Sequence, residues 1–251
     1  RVPEVEIFAA TGVQTMQINT LFQLASMAIV DDPKLDVAET LLMIPDLFNY
    51  FLGGEKAVEY TEASTTQMYR HSAKDWDREM LARVGIPERI LPGVVMPGTV
   101  LAAVGRDVVE MCGFSRTFPV IAAASHDTAS AVASIPNLDE GSAFLSSGTW
   151  SLMGVELDAP IVTERARALG FTNVGGCAGK TLLLRNITGL WILQECVRQW
   201  EKDGTRCGWD ELIAEAKAAQ AFKSVVLPNA AEFGAPGNML EAIRGYCRAS
   251  E

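Results

Sequence analysis

Residues 118–124 form a short apolar run that reads as a buried strand. The chain passes from it through Ser125-His126-Asp127 into small helix-forming residues, Thr128-Ala129-Ser130-Ala131-Val132. About twenty residues later Ser146-Ser147-Gly148-Thr149-Trp150-Ser151 places a small-polar turn inside another apolar run. A strand that feeds a helix through a short polar loop is an α/β device, and in many α/β enzymes ligand meets backbone at that junction. One carboxylate and one imidazole stand there. Taken alone, Asp127 reads more readily as a helix N-cap than as a catalytic base, and His126 more readily as a satisfied core histidine.

Composition excludes several classes. The 251 residues are 49% hydrophobic and 21% charged, ordinary for a globular chain and enough for one large domain or two of moderate size. A net charge of −10 argues against nucleic acid as a partner, because phosphate backbones demand a basic face. It leaves a nucleotide open, since such a site is local and can rest on backbone N–H groups. No run approaches 18 apolar residues, and no charged start precedes an apolar core, so neither a membrane span nor a signal peptide is expected. The five cysteines are odd in number and lack zinc-ribbon spacing; free, mostly buried thiols in a reducing, cytoplasmic compartment are expected. Two histidines, His71 and His126, cannot make a histidine-rich metal site.

Periodicity predicts a helix over 14–30, stopped by Asp31-Asp32-Pro33, and one or two helices over 36–52, interrupted near Pro45 and closed by Gly53-Gly54. Ser64-Thr65-Thr66 reads as a polar loop. Ser72 and Asp75 predict a capping box before a helix through Trp76, Met80 and Leu81. Residues 101–112 read as a helix. The turn-rich stretch 134–141, with Pro136, Asn137, Asp139 and Gly141, is the expected boundary between two α/β lobes, 1–134 and 135–251. Beyond it, strands around Gly148 form a hairpin, 181–185 is a strand, and 190–200 and 209–218 are helices. Gly179-Lys180-Thr181 looks like the end of a phosphate-binding P-loop, but Val174 stands where that motif needs glycine, and the following leucines read as a strand.

These strings, in this order, resemble the FGGY carbohydrate kinases, and within them the rhamnulokinase type. A third match is Arg185-Asn186-Ile187-Thr188-Gly189-Leu190-Trp191-Ile192-Leu193-Gln194-Glu195-Cys196. Thr11-Gly12-Val13-Gln14, Ile44-Pro45-Asp46-Leu47-Phe48-Asn49-Tyr50, Glu62-Ala63-Ser64-Thr65-Thr66-Gln67 and Glu232-Phe233-Gly234-Ala235-Pro236 extend the resemblance over essentially the whole chain.

The resemblance implies an actin-like (ribonuclease H-like) two-lobe α/β sugar kinase fold, both lobes incomplete. Residues 1–134 would form the sugar side and 135–251 the ATP side. It implies transfer of the γ-phosphate of ATP to the primary C1 hydroxyl of L-rhamnulose, with Asp127 as general base. His126, Asp127, Thr128 and Asn186 would contact the sugar; Gly148, Thr149 and Gln194 would hold ATP. A tight Gly-Thr turn suits that task, since consecutive N–H groups make an anion-binding hollow. Asn186 would end a strand, Thr188 would cap a helix, and Gln194 would sit two turns in. Mg2+ is the expected cation, with no ligand for it assigned in this chain. Sugar and ATP are the expected partners, without nucleic acid or membrane; the oligomeric state is not indicated. The acidic-glycine loop that opens such kinases and the glycine-rich adenine segment that closes them have no counterpart here, so the chain is expected to be the central part of a longer one. The alternatives are a kinase for another ketose or deoxysugar, such as fuculose or xylulose, and a non-catalytic actin-like nucleotide-binding protein.

Overall fold

The computed structural model describes residues 1–136, 138, 139 and 141–250. Asn137, counted in the expected boundary turn, lies outside them. The chain forms two compact units: Arg1–Phe144 with Gly154–Arg185, and Leu145–Met153 with the residues from Asn186 onward.

The first unit opens with helices α1 (Glu4–Thr11), α2 (Thr20–Ile29), α3 (Pro33–Val37) and α4 (Ile44–Phe51). The helix expected from residue 14 starts only at Thr20. The preceding residues are held by side-chain bonds instead: Gln14 Nε2 donates to the carbonyls of Arg167 and Phe171, both at 2.9 Å, and Asn19 Nδ2 to Gln67 Oε1 at 2.9 Å. Pro45 sits in the first turn of α4 rather than interrupting a helix, because its fixed φ and missing N–H suit that place.

Strand β1 (Ala57–Glu59) leads directly into α5 (Tyr60–Thr65). Ser64 and Thr65, expected in a loop, finish this helix. The Ser64 and Thr66 side chains are buried and donate to the carbonyls of Thr61 and Ala63, at 2.7 and 2.6 Å. The hairpin β2 (Tyr69–Arg70) and β3 (Asp75–Trp76) occupies the expected helix start. Helix α6 (Arg78–Val84) begins after it, capped by Asp77 Oδ1, which accepts from the Met80 amide at 3.1 Å. Then β4 (Gly93–Val95) pairs in parallel with β1. Strand β5 (Val100–Ala103) takes the first residues of the helix expected over 101–112, leaving α7 (Arg106–Cys112). Tertiary pairing overrides helix periodicity there: β5 runs antiparallel to β6 (Pro119–Ile121). Val120 and Ala122 are buried while Pro119 and Ile121, on the opposite face, are exposed, so this strand is buried on one face only. Helix α8 (Asp127–Ala133) follows.

Strand β7 (Phe144–Ser147) starts the second unit's hairpin; β8 (Trp150–Leu157) runs from it into the first unit. Next come α9 (Glu164–Ala168), β9 (Phe171–Gly175) and β10 (Thr181–Thr188). In the first unit β9 pairs antiparallel with β10, Gly175 opposite Thr181, and the later part of β8 lies on β10's other side. A side chain at Gly154 would fall 2.5 Å from the Leu183 carbonyl, which is why this edge is glycine. The second unit continues with α10 (Trp191–Lys202), α11 (Trp209–Ala218) and α12 (Met239–Ser250).

The main core of the first unit joins Leu21, Val58, Met68, Trp76, Leu81 and Ile90, all almost fully buried. Each such side chain contributes roughly 1.5–3 kcal/mol. The second unit packs Cys196, Phe233 and Met239 against Trp191 and Trp200. No disulfide is present among the described residues. Only Cys196 is buried, against the expectation of mostly buried thiols; Cys112 is exposed because it ends α7, whose buried face is Val108. No helix among the described residues is long and apolar enough to cross a membrane.

Candidate active site

The junction of β6 and α8 places Asp127 as the first residue of the helix, with His126 as its N-cap. Asp127 is therefore not the N-cap. Its Oδ1 accepts from the Thr128 amide at 2.6 Å and the Thr128 hydroxyl at 3.3 Å. The Asp127 side chain is 97% exposed. Thr128 is buried beneath it with its hydroxyl toward that carboxylate. His126 is largely enclosed. Its Nε2 lies 3.8 Å from Asp127 Oδ1, beyond hydrogen-bond reach, and its Nδ1 is buried without a partner. Burial pushes the His126 pKa below its ordinary 6.5, outweighing the pull of Asp127 and Glu59. The imidazole is thus neutral at neutral pH.

The loop before Asp127 is tied to a carboxylate that sequence reasoning missed. Glu59 ends β1 and caps α5, accepting from the Thr61 amide at 2.9 Å and the Glu62 amide at 3.3 Å. It also accepts from the Thr61 hydroxyl, and from the amide and hydroxyl of Ser125 at 3.0 and 3.1 Å. Thr61 Oγ1 in turn accepts from the His126 amide at 3.1 Å. Glu59 and Thr61 are both 0% exposed. The signal available in sequence was a polar residue before Tyr60-Thr61, at the position of a helix cap. Two further carboxyl groups flank it. Asp46 Oδ1 accepts from the Glu59 amide at 3.0 Å, its Oδ2 is buried without a partner, and burial raises its pKa to about 7. Glu62 is also raised, by burial and by the charges of Glu59 and Asp127.

In the second unit, Gly148 and Thr149 turn the β7–β8 hairpin. The Gly148 carbonyl accepts from the Leu190 amide at 2.9 Å; the Thr149 carbonyl accepts from Gly189 and Trp191, both at 3.2 Å. The hairpin thereby takes the Trp191 amide that opens α10 and the two amides before it, in place of Thr188, the expected cap of this helix. Thr188 bonds Asn229 instead, through its amide at 2.7 Å, and Asn229 also donates to the Asn186 carbonyl at 2.8 Å. The glycine that packing demands here is Gly189: a Cβ on it would fall 2.6 Å from Ser151 Oγ and 2.7 Å from the Gly148 carbonyl. At Gly148 the nearest atom would be 3.6 Å away. Thr149 is exposed, and its hydroxyl makes no hydrogen bond among the described residues. Gln194 lies on the first turn of α10, not the second.

The structure therefore groups His126, Asp127 and Thr128 at the start of α8 in the first unit. It groups Gly148, Thr149, Asn186 and Gln194 around the start of α10 in the second. Lys180 pairs with Asp158 at 2.5 Å, and Thr181 opens a strand, so the P-loop look-alike lacks the helix that motif feeds. Among the described residues no group of three or more His, Cys, Asp or Glu has the arrangement to hold a metal ion.

Two family profiles cover nearly all of the chain. The N-terminal domain of the FGGY family of carbohydrate kinases matches residues 2–133, and its C-terminal domain matches residues 143–250. A rhamnulokinase of Bacteroides thetaiotaomicron is 42% identical over 99% of this chain and 50% of its own length. One from Pectobacterium atrosepticum is 44% identical over 96% of this chain and 47% of its own length. Among solved structures, a ligand-bound xylulose kinase from Lactobacillus acidophilus has a TM-score of 0.71 at 19% identity, covering 86% of this chain and 43% of that one. The Plasmodium falciparum glycerol kinase with ADP also has a TM-score of 0.71, at 17% identity, over 92% of this chain and 48% of that one. The chain spans about half the length of the curated relatives it matches.

Proposed function

The chain belongs to the FGGY family of carbohydrate kinases, with the actin-like α/β fold of that family, and from that premise we propose that it is the part of an ATP-dependent rhamnulokinase that carries the catalytic base. The observation behind this reading is identity of 42–44% to rhamnulokinases along almost the whole chain. The geometry at Asp127 supports it: an exposed carboxylate beside a buried, neutral imidazole.

In this reading residues 1–134 supply the sugar side and 135–251 the ATP side. Asp127 accepts the proton of the C1 hydroxyl of L-rhamnulose as that oxygen attacks phosphorus. His126, uncharged, leaves the carboxylate free of a competing cation and offers the sugar a hydrogen-bonding edge. Thr128 holds Asp127 Oδ1 and so fixes which oxygen faces the substrate. Asn186 adds a sugar contact. Gly148, Thr149 and Gln194 bind ATP, which supplies the γ-phosphoryl group; the exposed Thr149 hydroxyl suits a phosphate oxygen. Mg2+ is the expected metal, but the side chains described do not form a site for it, and its ligands are not assigned to them.

The test uses the complete protein that carries this chain. Coupled ADP release is measured with L-rhamnulose, L-fuculose and D-xylulose. The reading expects the highest kcat/KM with L-rhamnulose. A preference for either other sugar overturns the substrate, and no sugar-dependent release overturns the kinase.

A further inference from the structure

The amide groups that precede Asp127 do not find partners in their own helix or strand. Ser125 and His126 lie in the loop between β6 and α8, and α8 has no side-chain cap. Their N–H groups reach across to the start of α5 instead, Ser125 to Glu59 Oε2 and His126 to Thr61 Oγ1. Thr61 passes the link on, donating its hydroxyl to that same carboxylate. One buried carboxylate thus fastens the N-terminal ends of two helices. No Lys or Arg forms an ion pair with Glu59 among the described residues; it is held by N–H and O–H donors. Such an arrangement is rigid, because each donor left behind would be a buried unpaired group.

We propose that Glu59 and Thr61 are positioning residues for catalysis: they fix the Ser125–His126 loop and thereby aim the Asp127 carboxylate. The proposal rests on Asp127 being the base. Neither residue touches the sugar, since both are fully enclosed. Their effect is on the placement of the carboxylate, where a displacement of about 1 Å costs on the order of 10²-fold in rate.

The experiment compares Glu59→Gln, Thr61→Val, Thr61→Ser and Asp127→Asn in the complete protein, each assayed well below its measured Tm. Glu59→Gln keeps the shape but replaces an all-acceptor carboxylate by an amide whose NH2 faces N–H donors. Thr61→Val keeps the volume and deletes the relay, whereas Thr61→Ser retains the hydroxyl. The expected result is a fall in kcat of about 10–10²-fold in Glu59→Gln and Thr61→Val, with the KM for ATP unchanged and kcat restored in Thr61→Ser. Wild-type kcat in folded Glu59→Gln overturns the proposal, as do equal losses in Thr61→Val and Thr61→Ser. If Glu59→Gln does not fold, the Thr61 pair decides alone. Wild-type turnover in Asp127→Asn would sink the assignment of the base itself, whatever the other variants do.

Discussion

Glu59 Oε2 accepts two hydrogen bonds from Ser125, one from its amide at 3.0 Å and one from its hydroxyl at 3.1 Å, across 66 residues of sequence. The chain end of β1 is thereby joined to the loop that delivers Asp127. A helix cap contributes about 0.5–2 kcal/mol on its own. Here the capping carboxylate of α5 also satisfies the neighbouring loop, so one side chain both caps a helix and holds the backbone that leads into Asp127.

Asp127→Asn in the complete protein is expected to keep the fold and much of the sugar affinity while lowering turnover by about 10²–10⁴-fold, the usual cost of losing a general base. Steady-state kinetics with L-rhamnulose decide it. Turnover within a few-fold of wild type removes Asp127 from that role.

Thr149→Val is expected to weaken ATP more than sugar. It deletes the exposed hydroxyl of the hairpin turn and leaves the carbonyl that binds α10 in place. A hydrogen bond to a charged group is worth roughly 1.5–3 kcal/mol. Separate calorimetric titrations of ATP and sugar measure the difference; equal losses point to a displaced fold.

Gly189→Ala and Gly148→Ala separate the sterically required glycine that packs against this hairpin from the one in its turn. The methyl at 189 would press on Ser151 and on the Gly148 carbonyl, an overpacking expected to cost about 1–3 kcal/mol. The methyl at 148 meets only the Trp150 carbonyl at 3.6 Å and is expected to change stability by less than about 0.5 kcal/mol. Denaturant melts of both variants would refute this if their order were reversed.

Asp46 makes the stability of the first unit depend on pH. Its pKa is raised from 3.8 to about 7 by burial, reinforced by the charges of Glu59 and Glu62. The folded form therefore keeps a proton that the unfolded chain loses, so this contribution is full below about pH 4 and is lost as pH rises through 7. Asp46→Asn, which keeps an acceptor for the Glu59 amide, is expected to flatten the profile between those limits. Urea midpoints measured across that range test it; an unchanged slope excludes Asp46 as the source.

Much of the architecture is legible in the sequence. The hairpin around Gly148 and the helix at 209–218 appear where periodicity and turn residues put them, and a strand does feed a helix through Ser125-His126, though it spans only Pro119–Ile121 of the expected 118–124. The motif strings by themselves point to the family. Boundaries are less secure where pairing partners are distant. Residues 101–103, expected to open a helix, belong to β5, because β6 offers them a ladder. Ser64-Thr65-Thr66 looks like a loop by composition; two of its hydroxyls are buried against helix carbonyls, and Ser64 Oγ also accepts from the Gly175 amide at 2.6 Å.

What the sequence determined by itself is what depends on neighbours along the chain: the order of apolar runs, the turn chemistry, the helix stop before Asp31-Asp32-Pro33, and the placing of a carboxylate at a strand-to-helix junction. What only the tertiary structure decided is how buried polar groups are satisfied and where backbones approach too closely for a side chain. That Glu59 serves Ser125, that Thr61 serves His126, and that Gly189 rather than Gly148 is sterically required all follow from atoms brought within about 3 Å across distant stretches of chain. A residue's own neighbours in sequence carry no record of such contacts, because burial and hydrogen bonding are settled only when the elements pack.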